Sequence, residues 1–141
     1  MLSPISLKTA LDAPVFRIGA ADTNYFVLLF DKAGEAFETV AVVEIFTVGG
    51  ATPPNMHSQA HEMFYVLHGE GVARCNGETA PLRKGSAMLL RPGSEHVVEN
   101  TGAGKLYTLT IMVPNEGFAE LIRAGIPTQL DDEDRAVLGG L

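Results

Sequence analysis

The chain has 141 residues, of which 46 % are hydrophobic and 19 % are charged, and its formal net charge is −7. This length and apolar content predict one folded domain and exclude a disordered chain. The negative charge argues against nucleic acid and anionic membranes as partners, because both would repel the protein.

Strands are predicted over most of the chain, because runs rich in β-branched and aromatic residues alternate with turn residues at short intervals. Residues 31–34 are expected to form a turn after the first strand, and Asn76-Gly77 predicts a tight hairpin with a strand on each side. Pro53-Pro54 disfavours regular pairing, so a loop is expected before Asn55. About eight strands are expected in total. Those with clear bounds are 25–30, 39–48, 63–67, 71–75, 87–91, 97–99 and 106–113.

The pattern changes after Pro114. Asn115 is a favourable N-cap, and apolar residues recur at helical spacing until Gly125, so residues 115–124 are predicted to form a short helix. A second, acidic helix is predicted over 131–138, with Asp131 as its cap. The prediction is therefore an all-β fold, a closed or sandwiched double sheet, followed by short C-terminal helices.

Two stretches carry the residues that point to chemistry. The first reads Gly49-x5-Asn55-x-His57-x4-Glu62-x6-Gly69 and the second reads Gly85-x5-Arg91-x-Gly93-x2-His96-x3-Asn100, with 15 residues between them. His57 and Glu62 are an odd number of positions apart, so a regular strand would direct them to opposite faces. If both reach one metal ion, a loop or bulge must interrupt the strand at 58–60.

His57, Glu62 and His96 are the predicted metal ligands, because two imidazoles and one carboxylate suit a divalent transition metal. Iron, manganese, nickel and zinc are all compatible with this set, which leaves coordination positions open for water, oxygen or substrate. Asn55 and His61 are the candidate catalytic residues. Asn55 would orient substrate or hydrogen-bond near the metal, whereas His61 should point away from Glu62 unless the loop bends.

The two stretches resemble the paired motifs of the cupin superfamily of small β-barrels, with the resemblance covering residues 39–113. It implies a double-stranded β-helix, jelly-roll-like, over residues 1–141 as a single cupin domain. The motif core would be 39–113, with an N-terminal strand extension at 1–38 and a C-terminal helical tail at 114–141. It also implies metal binding by His57, Glu62 and His96 inside the barrel, turns at Gly69, Gly85 and Gly93, and a dimer.

The chain departs from the motif pattern at two positions. Asn55 stands where the family usually has its first histidine, and Arg91 stands where the second motif usually has proline. The arginine is expected to alter only a turn. The asparagine matters more, because an amide oxygen is a weaker ligand for a transition metal than an imidazole.

Three functions are compatible with these features. The first is a metal-dependent dioxygenase-type oxidoreductase acting on a small organic molecule. The second is a non-redox isomerase, epimerase, lyase or cyclase that uses the same metal. The third is a non-catalytic barrel that binds a sugar or another small effector, which the substitution at Asn55 favours modestly.

The expected setting is a homodimer in the cytoplasm. The run 25–30 is apolar on both faces, as expected of a strand that a second subunit covers. The lone Cys75 cannot form an internal disulfide, which fits a reducing compartment. The N-terminus has no long apolar run after a basic start, so neither a signal peptide nor a membrane span is expected.

Overall fold

The structure is a computed structural model that describes residues 2–139. Within this range the chain forms ten strands, three α-helices and a 3-10 turn at Ala10–Asp12. The strands are β1 Val15–Arg17, β2 Asn24–Phe30, β3 Val40–Phe46, β4 His61–His68, β5 Glu70–Cys75, β6 Glu78–Arg83, β7 Ala87–Leu90, β8 His96–Asn100, β9 Leu106–Val113 and β10 Ile126–Pro127. The helices are α1 Lys32–Glu35, α2 Phe118–Arg123 and α3 Asp132–Gly139.

The strands form two antiparallel sheets. The larger has seven strands in the order β10-β1-β2-β3-β9-β4-β7, and the smaller has three in the order β6-β5-β8. Sequence neighbours are split between the sheets, because β4 pairs with β9 and β7 while β5 pairs with β6 and β8. This arrangement confirms the predicted all-β double-stranded barrel with short C-terminal helices.

The core has two parts on the inner side of the large sheet. One fills the space between the sheets, where Phe46, Phe64 and Leu106 meet Ala73, Leu82 and Val98 of the small sheet. The other lies under α2, where Ala119 and Ile122 of the helix pack with residues from β2 and β3. Between these parts the inner faces of β3, β4 and β8 line a cavity.

The outer face of the large sheet is covered by the chain itself. Tyr25, Val27, Val43, Ile45 and Tyr107 form an apolar patch there, and Leu130 and residues of α3 pack against it. Asp134 of α3 is fully buried and accepts hydrogen bonds from the hydroxyls of Tyr25 and Tyr107, each at 2.7 Å. The apolar character of both faces of β2, which motivated the homodimer prediction, therefore has an explanation within one chain.

Several predicted bounds differ from the structure. Residues 31–34 lie in a capped helical turn, because the Asp31 side chain accepts a hydrogen bond from Gly34 N at 3.0 Å. Helix α2 begins at Phe118 and not at 115, since Glu116 and Gly117 have positive φ angles of 54° and 82°. The short strands β1 and β10 were missed. The hairpin at Asn76-Gly77 is confirmed, with φ angles of 51° and 79°.

No helix in residues 2–139 is long and apolar enough to span a membrane.

Candidate metal centre

The two sequence stretches meet through a small piece of backbone pairing. Asn55 and His96 form an antiparallel bridge, in which each N–H donates to the carbonyl of the other residue at 3.0 and 2.8 Å. Gly93 N also donates to the carbonyl of His57 at 2.8 Å. The segment before β4 is thus fixed against β8 and the turn that precedes it, so His57 and His96 are neighbours although 39 positions separate them in the numbering of the chain.

His57, Glu62 and His96 bring one potential ligand atom each to within 4.8 Å of one another. Glu62 Oε1 lies 3.3 Å from His57 Nε2 and 3.1 Å from His96 Nε2. Glu62 and His96 are buried, and His57 is half-buried. Residues 57–60 form a loop and β4 starts at His61, which confirms the interruption that the odd spacing of His57 and Glu62 required.

The electrostatics of this group favour an ionised carboxylate. Burial on its own would raise the pKa of Glu62, but the hydrogen bonds and charges of His57 and His96 outweigh burial and lower it. The hydrogen bond to Glu62 raises the pKa of His57 against the effect of its own partial burial. His96 Nδ1 is buried and has no hydrogen-bond partner among the described residues. Buried polar atoms in folded proteins are rarely left without a hydrogen-bond partner, so this one calls for an explanation.

These donors fit a divalent transition metal. Their nitrogen and carboxylate oxygen atoms are of the types that such ions take, and the three Nε2 and Oε1 atoms already face one point beside a cavity. The set would provide three protein ligands, the number found in catalytic metal sites that keep coordination positions open.

Asn55 lies beside this group. Its Nδ2 is 3.4 Å from His57 Nε2, and it lines the same cavity. Its predicted role as a substrate contact or hydrogen-bonding neighbour of the metal therefore agrees with its location.

The structure does not bring His61 to the centre. His61 begins β4 immediately before Glu62, and the alternation of side chains along a strand directs it to the opposite face, where it is exposed. It is absent from the cavity lining among the described residues. The loop at 58–60 bends before His61, so it reorients His57 without turning His61 inward.

Glu116 is a site residue that the sequence analysis missed. Its carboxylate accepts hydrogen bonds from the backbone N–H groups of Ser58, Gln59 and Ala60 at 3.2, 2.7 and 2.9 Å. Its Oε2 also lies 3.8 Å from His57 Nδ1. Slight desolvation opposes ionisation, but the three backbone donors lower the pKa of Glu116. Glu116 therefore orders the loop that carries His57.

Glu44 is the second missed residue. It lies on β3, faces the cavity and is 3 % exposed, and its Oε2 accepts a hydrogen bond from Asn24 Nδ2 at 2.8 Å. Burial, followed by the charge of Glu62, raises the pKa of Glu44 to about 8. The cavity beside His57, Glu62 and His96 thus holds a carboxyl group whose pKa lies well above that of an ordinary glutamate.

The cavity has a volume of about 320 Å³ and opens between α2 and the loop before β4. This volume is at the lower end of the range for small-molecule sites. Apolar side chains dominate its outer part, and His57, Glu62, His96 and Glu44 lie on its inner walls. The arrangement can hold a small organic molecule against a metal ion.

Fold and site together define a small antiparallel β-barrel with a His-Glu-His centre inside it. The chain belongs to the cupin domain family, whose model matches residues 42–112. This confirms the resemblance on which the paired motifs were interpreted.

Two curated relatives match about half of the chain. An oxalate-binding protein from Thermotoga maritima is 32 % identical over 65 residues, which are 46 % of this chain and 54 % of that protein. An uncharacterized protein from Methanocaldococcus jannaschii is 30 % identical over 70 residues, 50 % of this chain and 56 % of that protein. The chain spans about half the length of the curated relatives it matches.

Solved structures match more of the chain at lower identity. A predicted oxalate decarboxylase from Thermotoga maritima has a TM-score of 0.66 and 21 % identity, covering 77 % of this chain and 97 % of its own. The polyketide cyclase RemF from Streptomyces resistomycificus has a TM-score of 0.67 and 22 % identity, covering 77 % and 78 %. At these identities the similarity shows the fold alone.

Proposed function

We propose that the protein is a metal-dependent enzyme that acts on a small organic molecule, with His57, Glu62 and His96 as the metal ligands. The observation that carries this proposal is the convergence of three suitable donor atoms within 4.8 Å of one another at the wall of a cavity. The metal, when bound, would act as a Lewis acid on substrate oxygen atoms. Its identity among iron, manganese, nickel and zinc is left to measurement.

The protein's own residues would position the substrate and exclude water. Asn55 lies at the edge of the centre, where its amide can hydrogen-bond an oxygen atom of the substrate. The aromatic and aliphatic outer part of the cavity would hold the body of the molecule and displace solvent. Glu116 would keep His57 in place through the loop at 58–60.

The reaction that we propose first is of the dioxygenase type, with dioxygen as co-substrate. Three protein ligands leave room for both substrate and dioxygen, as a 2-His-1-carboxylate set does in non-haem iron oxygenases. A cytoplasmic location is part of this proposal, because the lone Cys75 needs no oxidising compartment. The homodimer stays a prediction.

A second candidate is a non-redox isomerase, lyase or cyclase, and Glu44 favours it. A carboxyl group with a pKa near 8 inside the cavity can give or take a proton at neutral pH. The names of the relatives and neighbours include oxalate binding, decarboxylation and cyclisation. Decarboxylation and cyclisation need no net oxidation by dioxygen.

Metal analysis tests the shared part of both candidates. We expect close to one transition metal per chain, lost in His96→Ala and His57→Ala. The matched control is His61→Ala, which removes an exposed histidine adjacent to Glu62 and should leave the metal content unchanged. Equal metal content in all four proteins would refute the proposal.

Oxygen uptake then separates the two reactions. With iron(II) and candidate diketones or catechols, consumption of dioxygen supports the first candidate. If dioxygen is not consumed while deuterium from solvent enters the substrate, and Glu44→Gln abolishes this exchange, the second candidate is supported instead.

A further inference from the structure

The outer part of the cavity offers a surface for an apolar body. Ile18, Phe26, Phe118 and Leu121 line it, and the rings of Phe26 and Phe118 pack edge to face with centroids 5.6 Å apart. Deeper in, Phe64 and Met112 continue the apolar lining up to the metal ligands. A ligand that reaches the centre therefore passes between hydrocarbon surfaces, which strip water from it.

No cationic side chain balances the acidic residues that line the cavity among residues 2–139. The ionisable side chains besides the two imidazoles are Asp22, Glu44, Glu62 and Glu116, and no lysine or arginine lines the cavity among residues 2–139. Arg17 is near, but its Nη1 donates to the carbonyl oxygen of Asp22 at 2.7 Å and its guanidinium lies over the ring of Tyr25. Both imidazoles must be neutral to bind a metal.

A bound divalent ion would not make the site electrostatically favourable for a dianion. Glu62 cancels one of the two positive charges of the ion, and Asp22 and Glu116 are further acidic residues that line the cavity. Glu44 has an amide, Asn24, as its hydrogen-bond partner and no cation. A ligand with two negative charges would thus lose its hydration without gaining a cationic side chain in exchange.

We infer that the site takes an uncharged, largely apolar molecule that presents two neighbouring oxygen atoms to the metal, and that it discriminates against small dicarboxylates such as oxalate. This inference deepens the proposed function and rests on it, because the metal must hold the pair of oxygen atoms. It predicts that this chain differs in its ligand from two proteins that it resembles, whose names refer to oxalate.

Two chelators of equal ring size test the inference. In 2,4-pentanedione and malonate the two oxygen donors are separated by the same three-carbon unit. The first is uncharged in solution and chelates as a monoanion after one proton passes to the buffer, whereas the second is a dianion both free and bound. Binding to the cobalt(II)-loaded protein is followed by visible absorption, which needs no turnover. Each affinity is divided by the same ligand's affinity for free cobalt(II) in the same buffer, so that only the contribution of the protein remains.

We expect the normalised affinity for 2,4-pentanedione to exceed that for malonate by about tenfold or more, the size of one unfavourable charge interaction at intermediate dielectric. Adding a phenyl group to the diketone should strengthen binding further, because the ring can pack against Phe118. Equal normalised affinities, a preference for malonate, or no binding of either ligand at millimolar concentration would each overturn the inference.

A gain-of-function variant supplies a second test. Leu121 is 53 % exposed at the mouth of the cavity on α2, so Leu121→Arg should fold normally and place a cation there. We expect malonate to bind several-fold more tightly in Leu121→Arg than in the uncharged control Leu121→Gln, with little change for the diketone. No difference between the two variants contradicts the inference.

The metal titration keeps this test separate from the proposed function. If cobalt(II) fails to bind the wild type, or binds equally well to His96→Ala, the metal centre itself is wrong and the proposed function fails. If cobalt(II) binds in a His96-dependent way and malonate is still preferred, the metal centre stands and only the inference on ligand class fails.

Discussion

The fully buried Asp134 connects α3 to the outer face of the large sheet, and its removal should destabilise the protein strongly. Its carboxylate accepts hydrogen bonds from Tyr25 Oη, Tyr107 Oη and Lys105 Nζ at 2.7, 2.7 and 3.1 Å. Burial raises the pKa of both tyrosines, so their hydroxyls remain neutral donors throughout the physiological range. The proposed perturbation is Asp134→Ala.

The magnitude follows from the groups that lose their acceptor. Tyr107 is 0 % exposed and Tyr25 is 5 % exposed, so neither hydroxyl can turn to water while α3 stays in place. Each unsatisfied buried donor costs about 1–3 kcal/mol. Lys105 retains Asp131 and the Tyr25 hydroxyl as partners and adds less. We expect Asp134→Ala to lower the free energy of unfolding by about 3–5 kcal/mol, the middle of the range for two unsatisfied buried hydroxyls.

Urea denaturation followed by circular dichroism measures this loss. Asp134→Asn should lie between Asp134→Ala and the wild type, because the amide keeps one acceptor but not the charge. The control is Arg135→Ala, an exposed neighbour on the same helix, for which a change within about 0.5 kcal/mol is expected. If Asp134→Ala is no less stable than Arg135→Ala, α3 is not held by this carboxylate and the explanation of the apolar outer face fails.

Two further predictions concern the loop at 58–60 and an ion pair of α2. Glu116→Ala should weaken metal binding by about 10–100-fold, as expected for a residue that positions a ligand, while one metal site per chain remains at saturation. Isothermal titration of Glu116→Ala and of the control Glu120→Ala measures this. Equal metal affinities of the two variants would contradict the prediction. Arg123, whose Nε and Nη2 donate to Asp31 at 2.7 and 2.8 Å, holds the pKa of that carboxyl below its ordinary value of 3.8. The pair therefore adds stability that is fully present above pH 3.8 and is lost as the pH falls through the lowered pKa. Asp31→Asn should lower the free energy of unfolding by about 1–3 kcal/mol at pH 7. In urea titrations, the difference in unfolding free energy between wild type and Asp31→Asn should shrink below pH 4. A difference that does not change with pH between 3 and 7 would refute this.

The strands were predictable wherever the signal is local. The hairpin at Asn76-Gly77 and the strand Leu106–Val113 depend on turn residues and on runs of β-branched or aromatic residues, which the sequence displays directly. Strands β1 and β10 have three and two residues, and they pair with each other across more than one hundred positions. Such short strands form because β2 offers an open edge to β1 and β1 in turn offers one to β10, a condition that no local stretch of sequence contains.

The grouping of His57, Glu62 and His96 was predictable for a related reason. Their residue types and spacing carried the prediction, and the odd separation of His57 and Glu62 required the loop that the structure contains. The loop has a cause that the spacing did not reveal. Glu116 reaches back from a segment of positive φ angles just before α2 and binds three consecutive backbone N–H groups. The local sequence of the loop gives no indication that Glu116 is its hydrogen-bond partner.

Glu44 shows where a local signal was available but incomplete. It is the one ionisable residue in the strand Val40–Phe46, whose other members are apolar and all of whose residues are buried. A charged group in such a strand is costly unless it is paired or protonated, so its presence alone indicates a special environment. Parity could not decide its direction, because both faces of the strand are buried. Only the assembled barrel shows that it faces the cavity, with Asn24 beside it and the charge of Glu62 acting on it. The continuous apolar sequence made the strand easy to predict, but for the same reason it could not show which face of the strand lines the cavity.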